Sequence, residues 1–335
     1  MKLIFRDMQH RLQSLLDSEE ECPASSLKLL GHPLIVRNVM TVKSILKIDM
    51  ICIPDKFPNA STLVQDSFLS LNVNEFCDNE DIFEKYIPAV GNQQSNYCLT
   101  IPIKNDNDNN NFEVPINSLI YNNSNHTHNL YSNITGNNHN HHPITIDAFV
   151  YPWDFLNVVK RVLVTEVTNK VISSKATVAK SSIINGPCLV EDNVIIDDFC
   201  KIVGPTYIGS GSSIGMGSLL RKSMIGDNTS IGFNCEIAKT YFEGDDKIAH
   251  QNVILDSIIG RNVWFGGYSG TANILLDRKN VRYQMGDKLV DTGTDQFGAV
   301  AGNNCAIGAS VIILPGRQVQ SNTVIQAGTI VGKTI

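Results

Sequence analysis

Aliphatic residues recur at every sixth position through the second half of the chain. Six residues make one short strand and a tight corner, and three such sides close a triangular coil of about eighteen residues. The small residues beside several of the aliphatic ones, such as Gly209 and Gly215, suit corners. The pattern predicts a parallel β-helix of about seven coils, with an excursion at 273–299. The aliphatic series is Val178, Ile184, Val190, Ile196, Ile202, Ile208, Ile214 and Leu220, then Ile225, Ile231 and Ile237, then Ile307, Ile313, Val319, Ile325 and Val331.

The first half of the chain has a different pattern, in which short apolar runs alternate with helical ones. The segment from Leu27 to Pro54 predicts a short strand, a turn at 31–33, a helix over roughly 34–46 and a buried strand at 48–53. A second helix is predicted from Tyr151 to about Val164, with Asp154 near its N-terminus. Strands and helices in this order predict an α/β domain of Rossmann-like type.

A tract rich in Asn and His, residues 105–142, lies between the two patterns. It carries His126, His128 and three further histidines, but too few apolar side chains to offset the entropy of ordering. We expect a disordered insert and no metal site there. The predicted organisation is an α/β domain made of 1–104 and 143–165, the insert 105–142, and a β-helix domain over 166–335.

Composition narrows the functional classes. The 335 residues include 27 Lys+Arg and 33 Asp+Glu, a net charge of −6, which argues against a nucleic-acid-binding protein. No apolar run reaches the ~18 residues of a membrane span, and the N-terminus lacks the apolar stretch of a signal peptide. The eight cysteines form no C-x-x-C pair and are expected to be reduced, packed thiols. We therefore expect a cytoplasmic protein without membrane partners.

The block HQNVILDSIIGRNVWFGGYSGTAN, followed by KLVDTGTDQFGAVAGNN and IGASVIILPG, resembles a known family. Over 204–316, about a third of the chain, the sequence is similar to the C-terminal half of two-domain sugar-1-phosphate nucleotidylyltransferases of archaea and bacteria. In bifunctional members that half is a left-handed β-helix that acetylates glucosamine 1-phosphate with acetyl-CoA. SLKLLGHPLIVRNVM and YPWDFL are similar to parts of the nucleotidylyltransferase domain.

The resemblance implies roles for individual residues. His250 corresponds to the catalytic base, and imidazole is suited to removing the proton of an attacking amine. Asn273 corresponds to the Asn that orients the amino sugar. Lys279, Arg282 and Lys239 correspond to cations that hold the sugar phosphate. Each has a plain alternative: an exposed loop His, a corner Asn, or solvated surface charges. The positions that the resemblance assigns to the acetyl-CoA co-substrate are Gly267, Ala309 and Ala327.

Two departures affect the expected chemistry. Val253 stands three residues after His250, where the family has Tyr, and Trp264 stands where bacterial members have Asn. The first thirty residues contain no glycine, so the glycine-rich phosphate loop of an active nucleotidylyltransferase is missing. We expect the first domain to be degenerate, and Mg²⁺ to be needed only if that domain is active.

Three functions follow as alternatives. The first is an acetyl-CoA-dependent acetyltransferase acting on an amino-sugar 1-phosphate in nucleotide-sugar biosynthesis. The second is a sugar-1-phosphate nucleotidylyltransferase using UTP or dTTP. The third is a catalytically inactive oligomeric scaffold or regulatory homologue. The family resemblance and the prevalence of closed cyclic symmetry predict a homotrimer built through 178–335, with a small-molecule sugar phosphate as partner.

Overall fold

The structure is a computed structural model that describes residues 2–6, 27–45, 50–54, 64–67, 72–76, 99–100, 111–115, 118–122, 144–148, 151–285 and 288–332. Contacts divide the chain into two units. The first comprises Met1–Leu12, Glu20–Leu27 and His32–Val150, and the second comprises Gln13–Glu19, Lys28–Gly31 and Tyr151–Ile335. None of the helices in the described ranges is long and apolar enough to cross a membrane.

The first unit contains a four-stranded parallel sheet in the order β5-β4-β1-β7. The helix α1 follows β1 and precedes β4 in the chain, as in α/β proteins. The helix and the strand that the sequence predicts after Gly31 are both confirmed. The relation of this unit to nucleotidylyltransferases stays a prediction. The elements up to residue 148 are β1 Lys2–Arg6, β2 Lys28–Leu29, β3 His32–Pro33, α1 Leu34–Ile45, β4 Met50–Pro54, β5 Asn72–Phe76, β6 Leu99–Thr100, β7 Asn111–Pro115, β8 Ser118–Asn122 and β9 Ile144–Ala148.

Two of these strands lie inside the range expected to be disordered. β7 pairs with β1, and β8 pairs antiparallel with β9. The expectation is wrong for these ten residues, because NFEVP alternates polar and apolar side chains and SLIYN has a short apolar run between polar residues, and both patterns favour strands. The Asn-rich sequence around them obscured these two short segments. The rest of 105–142, including the histidine-rich part, lies outside the described residues.

The second unit is a parallel β-helix, as predicted, with three faces of eight strands each. It has eight coils where about seven were predicted, because its first strand begins at Lys170, before the first aliphatic residue of the periodic series. Face 1 is β10 Lys170–Ile172, β13 Cys188–Val190, β16 Thr206–Ile208, β19 Met224–Ile225, β22 Tyr241–Gly244, β25 Ile258–Arg261, β30 Ala299–Ala301 and β33 Arg317–Val319.

The other two faces contain strands of two or three residues. Face 2 is β11 Thr177–Val178, β14 Ile195–Ile196, β17 Ser213–Ile214, β20 Ser230–Ile231, β23 Lys247–Ile248, β26 Trp264–Phe265, β31 Ala306–Ile307 and β34 Val324–Ile325. Face 3 is β12 Ile183–Asn185, β15 Lys201–Val203, β18 Leu219–Arg221, β21 Glu236–Ala238, β24 Val253–Leu255, β27 Gly270–Thr271, β32 Ile312–Ile313 and β35 Ile330–Val331. We call the corners that join faces 1 and 2, 2 and 3, and 3 and 1 the first, second and third edges.

The excursion leaves the coil after β27 and returns at β30. It contains a hairpin of β28 Arg282–Met285 and β29 Lys288–Asp291. The coils on either side keep their register across it, since Trp264 pairs with Ala306 just as Lys247 pairs with Trp264. The predicted excursion at 273–299 is therefore confirmed.

Face 1 is covered on its outer side. The second predicted helix is observed as α2 Pro152–Glu166, and the Asp154 carboxylate accepts a hydrogen bond from the Tyr151 N–H at its start. The Phe155 ring packs edge-on against Tyr241, with ring centres 5.0 Å apart. Trp153 packs in the same manner against aromatic rings of the excursion. As a result, the outward row of face 1 is buried from the third to the seventh coil: Tyr207, Met224, Tyr241, Ile258 and Val300.

Candidate functional site

The second edge holds the predicted base. His250 is exposed in the turn between β23 and β24. Its carbonyl oxygen accepts hydrogen bonds from the backbone N–H of Tyr268 (3.0 Å) and from the side-chain amide of Asn252 (3.3 Å). These bonds tie the His250 turn to the turn of the next coil. The imidazole is thus presented from a fixed position of the edge.

The three predicted co-substrate residues follow His250 along the same edge. The carbonyl of Gly267 accepts from Ser310 N–H at 2.9 Å, and the carbonyl of Ala309 accepts from Gly328 N–H at 2.8 Å. Gly267, Ala309 and Ala327 therefore occupy the same place in successive coils. Within residues 151–285 and 288–332, no hydrogen bond is made by the backbone N–H of any of the three. The edge thus carries a row of free donors beside His250.

Gly267 is not required by the packing of the coil. Its φ is not positive, and a Cβ added there would meet only the His250 carbonyl oxygen, at an ordinary 3.5 Å. The neighbouring Gly266 differs, because a Cβ there would lie 2.5 Å from the backbone nitrogen of Ala309. The missing side chain at Gly267 therefore leaves accessible space next to the His250 turn.

Asn273 and Lys239 lie on the third edge instead. Both contact Asp256, which is only 2% exposed. The Asn273 amide donates to one carboxylate oxygen at 2.7 Å, and the Lys239 ammonium lies 3.9 Å from the other. Lys239 also donates to the side-chain carbonyl of Gln296 at 3.0 Å. Within the chain, two predicted ligands of a sugar phosphate are thus already engaged with a carboxylate.

A third cation completes this cluster. The Lys160 ammonium of α2 lies 3.5 Å from the same Asp256 carboxylate. Burial lowers the pKa of Lys160, the attraction of Asp256 opposes that change, and the nearby charge of Lys239 adds to it. Asp256 was not singled out from the sequence. The structure identifies Asp256 by its place at a corner, one coil before Asn273, and by its positive φ of 44°.

One chain does not bring the two groups together. His250 lies in the turn before β24 and Asp256 lies in the corner after it, so the two residues are on different edges of the same coil. The base and the predicted co-substrate residues therefore lie on the second edge, whereas Asn273 and Lys239 lie on the third.

The remaining predicted phosphate ligands are on the excursion. Lys279 is exposed and its ammonium lies 3.0 Å from the Asp277 carboxylate. Arg282 begins β28 and its side chain is exposed. Neither contacts Lys239 or Asn273 among the interactions of the described residues. Across those residues, no group of three His, Cys, Asp or Glu side chains lies close enough to hold a metal ion.

The departures Val253 and Trp264 both face outward, on faces 3 and 2. Beside Trp264, the structure shows an aromatic residue that the sequence analysis missed. Tyr268 occupies the left-handed position of the second edge, with φ of 60°. That position is held by Gly217, Asn234 and Gly328 in other coils. The signal was present in the sequence, since Tyr268 lies 17 residues after Gln251, but it requires the exact length of each coil.

The β-helix sequence matches the family model described as bacterial transferase hexapeptide (six repeats), over residues 187–222. Over its β-helix, the chain is thus similar in fold and sequence to hexapeptide-repeat acyltransferases. The prediction of a transferase of this type is confirmed at that level.

Individual relatives give the resemblance more detail. YaiX of Escherichia coli (strain 536 / UPEC), described as an uncharacterised acetyltransferase, is 27% identical over 165 residues, which are 44% of this chain and 70% of YaiX. The bifunctional sugar-1-phosphate nucleotidylyltransferase/acetyltransferase of Sulfurisphaera tokodaii is 30% identical over 186 residues, 55% of this chain and 45% of that protein. The chain thus spans less than half of the archaeal relative. A solved structure of UDP-N-acetylglucosamine acyltransferase aligns with 48% of this chain and 69% of its own, at 11% identity and a TM-score of 0.27.

Proposed function

We propose that the protein is an acetyl-CoA-dependent N-acetyltransferase that acts on the amino group of an amino-sugar phosphate. The observation that carries the proposal is the second edge, where an exposed imidazole is followed by a row of free backbone donors. General base and hydrogen-bond donors on one rigid edge are the groups that acyl transfer to an amine requires.

The edge suits an extended acyl carrier. Successive coils are about 4.8 Å apart, so the N–H groups of Gly267, Ala309 and Ala327 form a regular ladder of donors. Such a ladder fits the amide carbonyls of a pantetheine arm, and the open space at Gly267 gives that arm access to the His250 turn. When bound, acetyl-CoA supplies the acetyl group as a thioester, and the transfer exchanges a C–S bond for an amide C–N bond and releases the thiol.

His250 provides the proton transfers. An amino sugar carries an ammonium group near neutral pH, and this group attacks only after losing a proton. One proton of the ammonium goes to solvent, which frees the nitrogen lone pair. The imidazole takes a second proton as the C–N bond forms and returns it to the sulfur that leaves, so that the protein ends unchanged. The hydrogen bonds to the His250 carbonyl hold its backbone during both steps.

The phosphate ligands favour a site shared between copies of the chain. Lys239 and Asn273, the residue predicted to orient the amino sugar, are on the third edge, where both contact Asp256, whereas His250 is on the second edge. Lys279 and Arg282 are on the exposed excursion and are suited to bind a phosphate dianion. In the predicted homotrimer, the excursion of one copy would supply these cations to the second edge of the next.

The test is acetyl transfer to glucosamine 1-phosphate, followed by release of free thiol from acetyl-CoA. We expect His250→Ala to lower kcat by ~10²–10⁴-fold with little change in KM, as for loss of a general base. The residual rate should rise with pH as more amine loses its proton without help. The control is His32→Ala, which removes an exposed histidine outside the β-helix. Wild-type turnover in His250→Ala would contradict the proposed mechanism.

A further inference from the structure

Two exposed aromatic side chains stand on the coil that follows His250. Trp264 is the outward residue of β26 and is 53% exposed; Tyr268 is 67% exposed. Between them in the chain are Phe265, whose side chain points into the core, and then Gly266 and Gly267, which contribute no side chains. This coil therefore presents a short stretch of bare backbone with an aromatic residue at each end. We call these four positions, 264 and 266–268, the aromatic notch.

The notch adjoins the predicted base. The Tyr268 N–H donates to the His250 carbonyl, and Gly267 lies under the same carbonyl in the next coil. The notch and the His250 turn are therefore in direct backbone contact on successive coils.

Packing within the chain does not account for Tyr268. Its ring makes no aromatic contact among the described residues, and a bulky side chain at φ of 60° is held against a local steric cost. Phe199 has the same conformation and exposure three coils before the His250 turn, so the corner accepts an aromatic residue elsewhere too. What distinguishes Tyr268 is its place beside His250, Trp264 and the two glycines.

We propose that the aromatic notch binds the acceptor of the proposed acetyl transfer, an amino sugar, with its ring against Trp264 and Tyr268 and its nitrogen toward His250. This inference rests on the proposed function. The C–H face of a sugar ring packs against aromatic faces, and an ammonium group is attracted to them. The proposal also accounts for both departures from the related enzymes. Tyr268 supplies, from the neighbouring coil, a hydroxyl that Val253 lacks, and Trp264 is a wall of the site.

The test compares Tyr268→Gly and Trp264→Ala with matched controls on earlier coils of the second edge. Phe199→Gly changes an aromatic residue in the same left-handed conformation, four coils before Tyr268, and Met216→Ala truncates an exposed apolar side chain of that edge. We expect KM for glucosamine 1-phosphate to rise about three- to tenfold in the two notch variants, as for loss of one aromatic contact. In the two notch variants, kcat and the KM for acetyl-CoA should stay unchanged. In the two control variants, kcat and both KM values should stay unchanged. Tyr268→Gly and Phe199→Gly should both raise Tm, since glycine relieves the left-handed backbone.

Each other outcome overturns the inference in its own way. Unchanged acceptor KM in both notch variants would show that the rings do not contact the acceptor. A rise in KM for acetyl-CoA instead would assign the rings to the co-substrate. A smaller assembly mass in Tyr268→Gly would show that the rings hold copies together. Absence of acetyl transfer by the wild-type protein would overturn the proposed function as well, which separates that failure from a failure of the notch alone.

Discussion

Three carboxylates are buried among the described residues of the β-helix: Glu243, Asp246 and Asp256. Glu243 lies under the Tyr241 hydroxyl and 3.1 Å from the Arg261 guanidinium, and it also accepts from the Lys28 N–H. Burial nevertheless raises the pKa of Glu243 above its ordinary value, because desolvation outweighs these partners. The charged form of Glu243 is therefore less stable in the folded protein than in the unfolded chain.

The raised pKa makes stability depend on pH. A carboxyl that holds its proton more tightly when folded stabilises the protein fully below its unfolded pKa, and this stability is lost as pH rises through the folded pKa. From pH 4.5 upward, we expect the free energy of unfolding of the wild type to fall relative to that of Glu243→Gln, which cannot titrate. Urea unfolding between pH 4.5 and 7.5 measures the difference. The control is Asp245→Asn, which removes a surface partner of Arg261. If this variant changed the pH dependence of the free energy of unfolding as much as Glu243→Gln does, the prediction would be contradicted.

At the scale of elements, the period of six was sufficient to predict the β-helix but not its detailed register. Coils at the start and end repeat every 18 residues, as in Ile195 to Ser213, whereas three middle coils repeat every 17, as in Ser213 to Ser230. One residue is lost at the third edge, where Lys222 alone takes the place that Gly204 and Pro205 fill in the preceding coil. A strict period therefore misses inward residues such as Phe242 and Ile248.

The same limit applies to the candidate site. His250, Gly267, Ala309 and Ala327 were predicted from a resemblance, and the structure aligns them on one edge. The contact of Asn273 with Asp256 could not be predicted, because it depends on how the excursion returns to the coil. Tyr268 was missed because its left-handed position is defined only once coil lengths are known.

Two glycines on different edges test how corners tolerate side chains. A Cβ at Gly226 would overlap the backbone carbonyl oxygen of Glu243, and backbone in a stacked coil cannot move aside. We expect Gly226→Ala to lower the free energy of unfolding by about 1–3 kcal/mol. Gly267→Ala meets only ordinary contacts and should change it by less than about 0.5 kcal/mol. Urea denaturation of both variants provides the comparison, and equal losses would show that the corners are softer than the structure indicates.

For the whole molecule, the three faces of the β-helix are not equivalent. Face 1 is covered by α2 and the excursion, whereas faces 2 and 3 keep exposed apolar side chains. Ile195 and Val324 are exposed on face 2, and Ile183 and Ile330 on face 3. A cyclic trimer joins two different surfaces of each copy, so two open apolar faces are what it requires.

We therefore expect a homotrimer, with a mass three times the 36.9 kDa of the chain. Light scattering at micromolar concentration measures this directly. Ile195→Lys and Ile330→Lys, placed on the two open faces, should each reduce the mass, since a charge in an apolar interface is costly. Lys175→Glu, an exposed change of charge at a turn, is the control. A monomeric wild type would show that both faces remain solvated.

The return of the excursion to its starting point has a consequence for how this protein can diversify. The two ends of the excursion are hydrogen-bonded to each other, since the Asn273 carbonyl accepts from the Phe297 N–H. The next residue, Gly298, donates its N–H to the Asp256 carbonyl of the preceding coil. The coils beyond it continue as though nothing had been inserted. Closing a longer loop over such a fixed gap costs little extra entropy. The third edge is thus an insertion site. Evolution, or an engineer, can replace the inserted segment there with another sequence while the β-helix keeps its register.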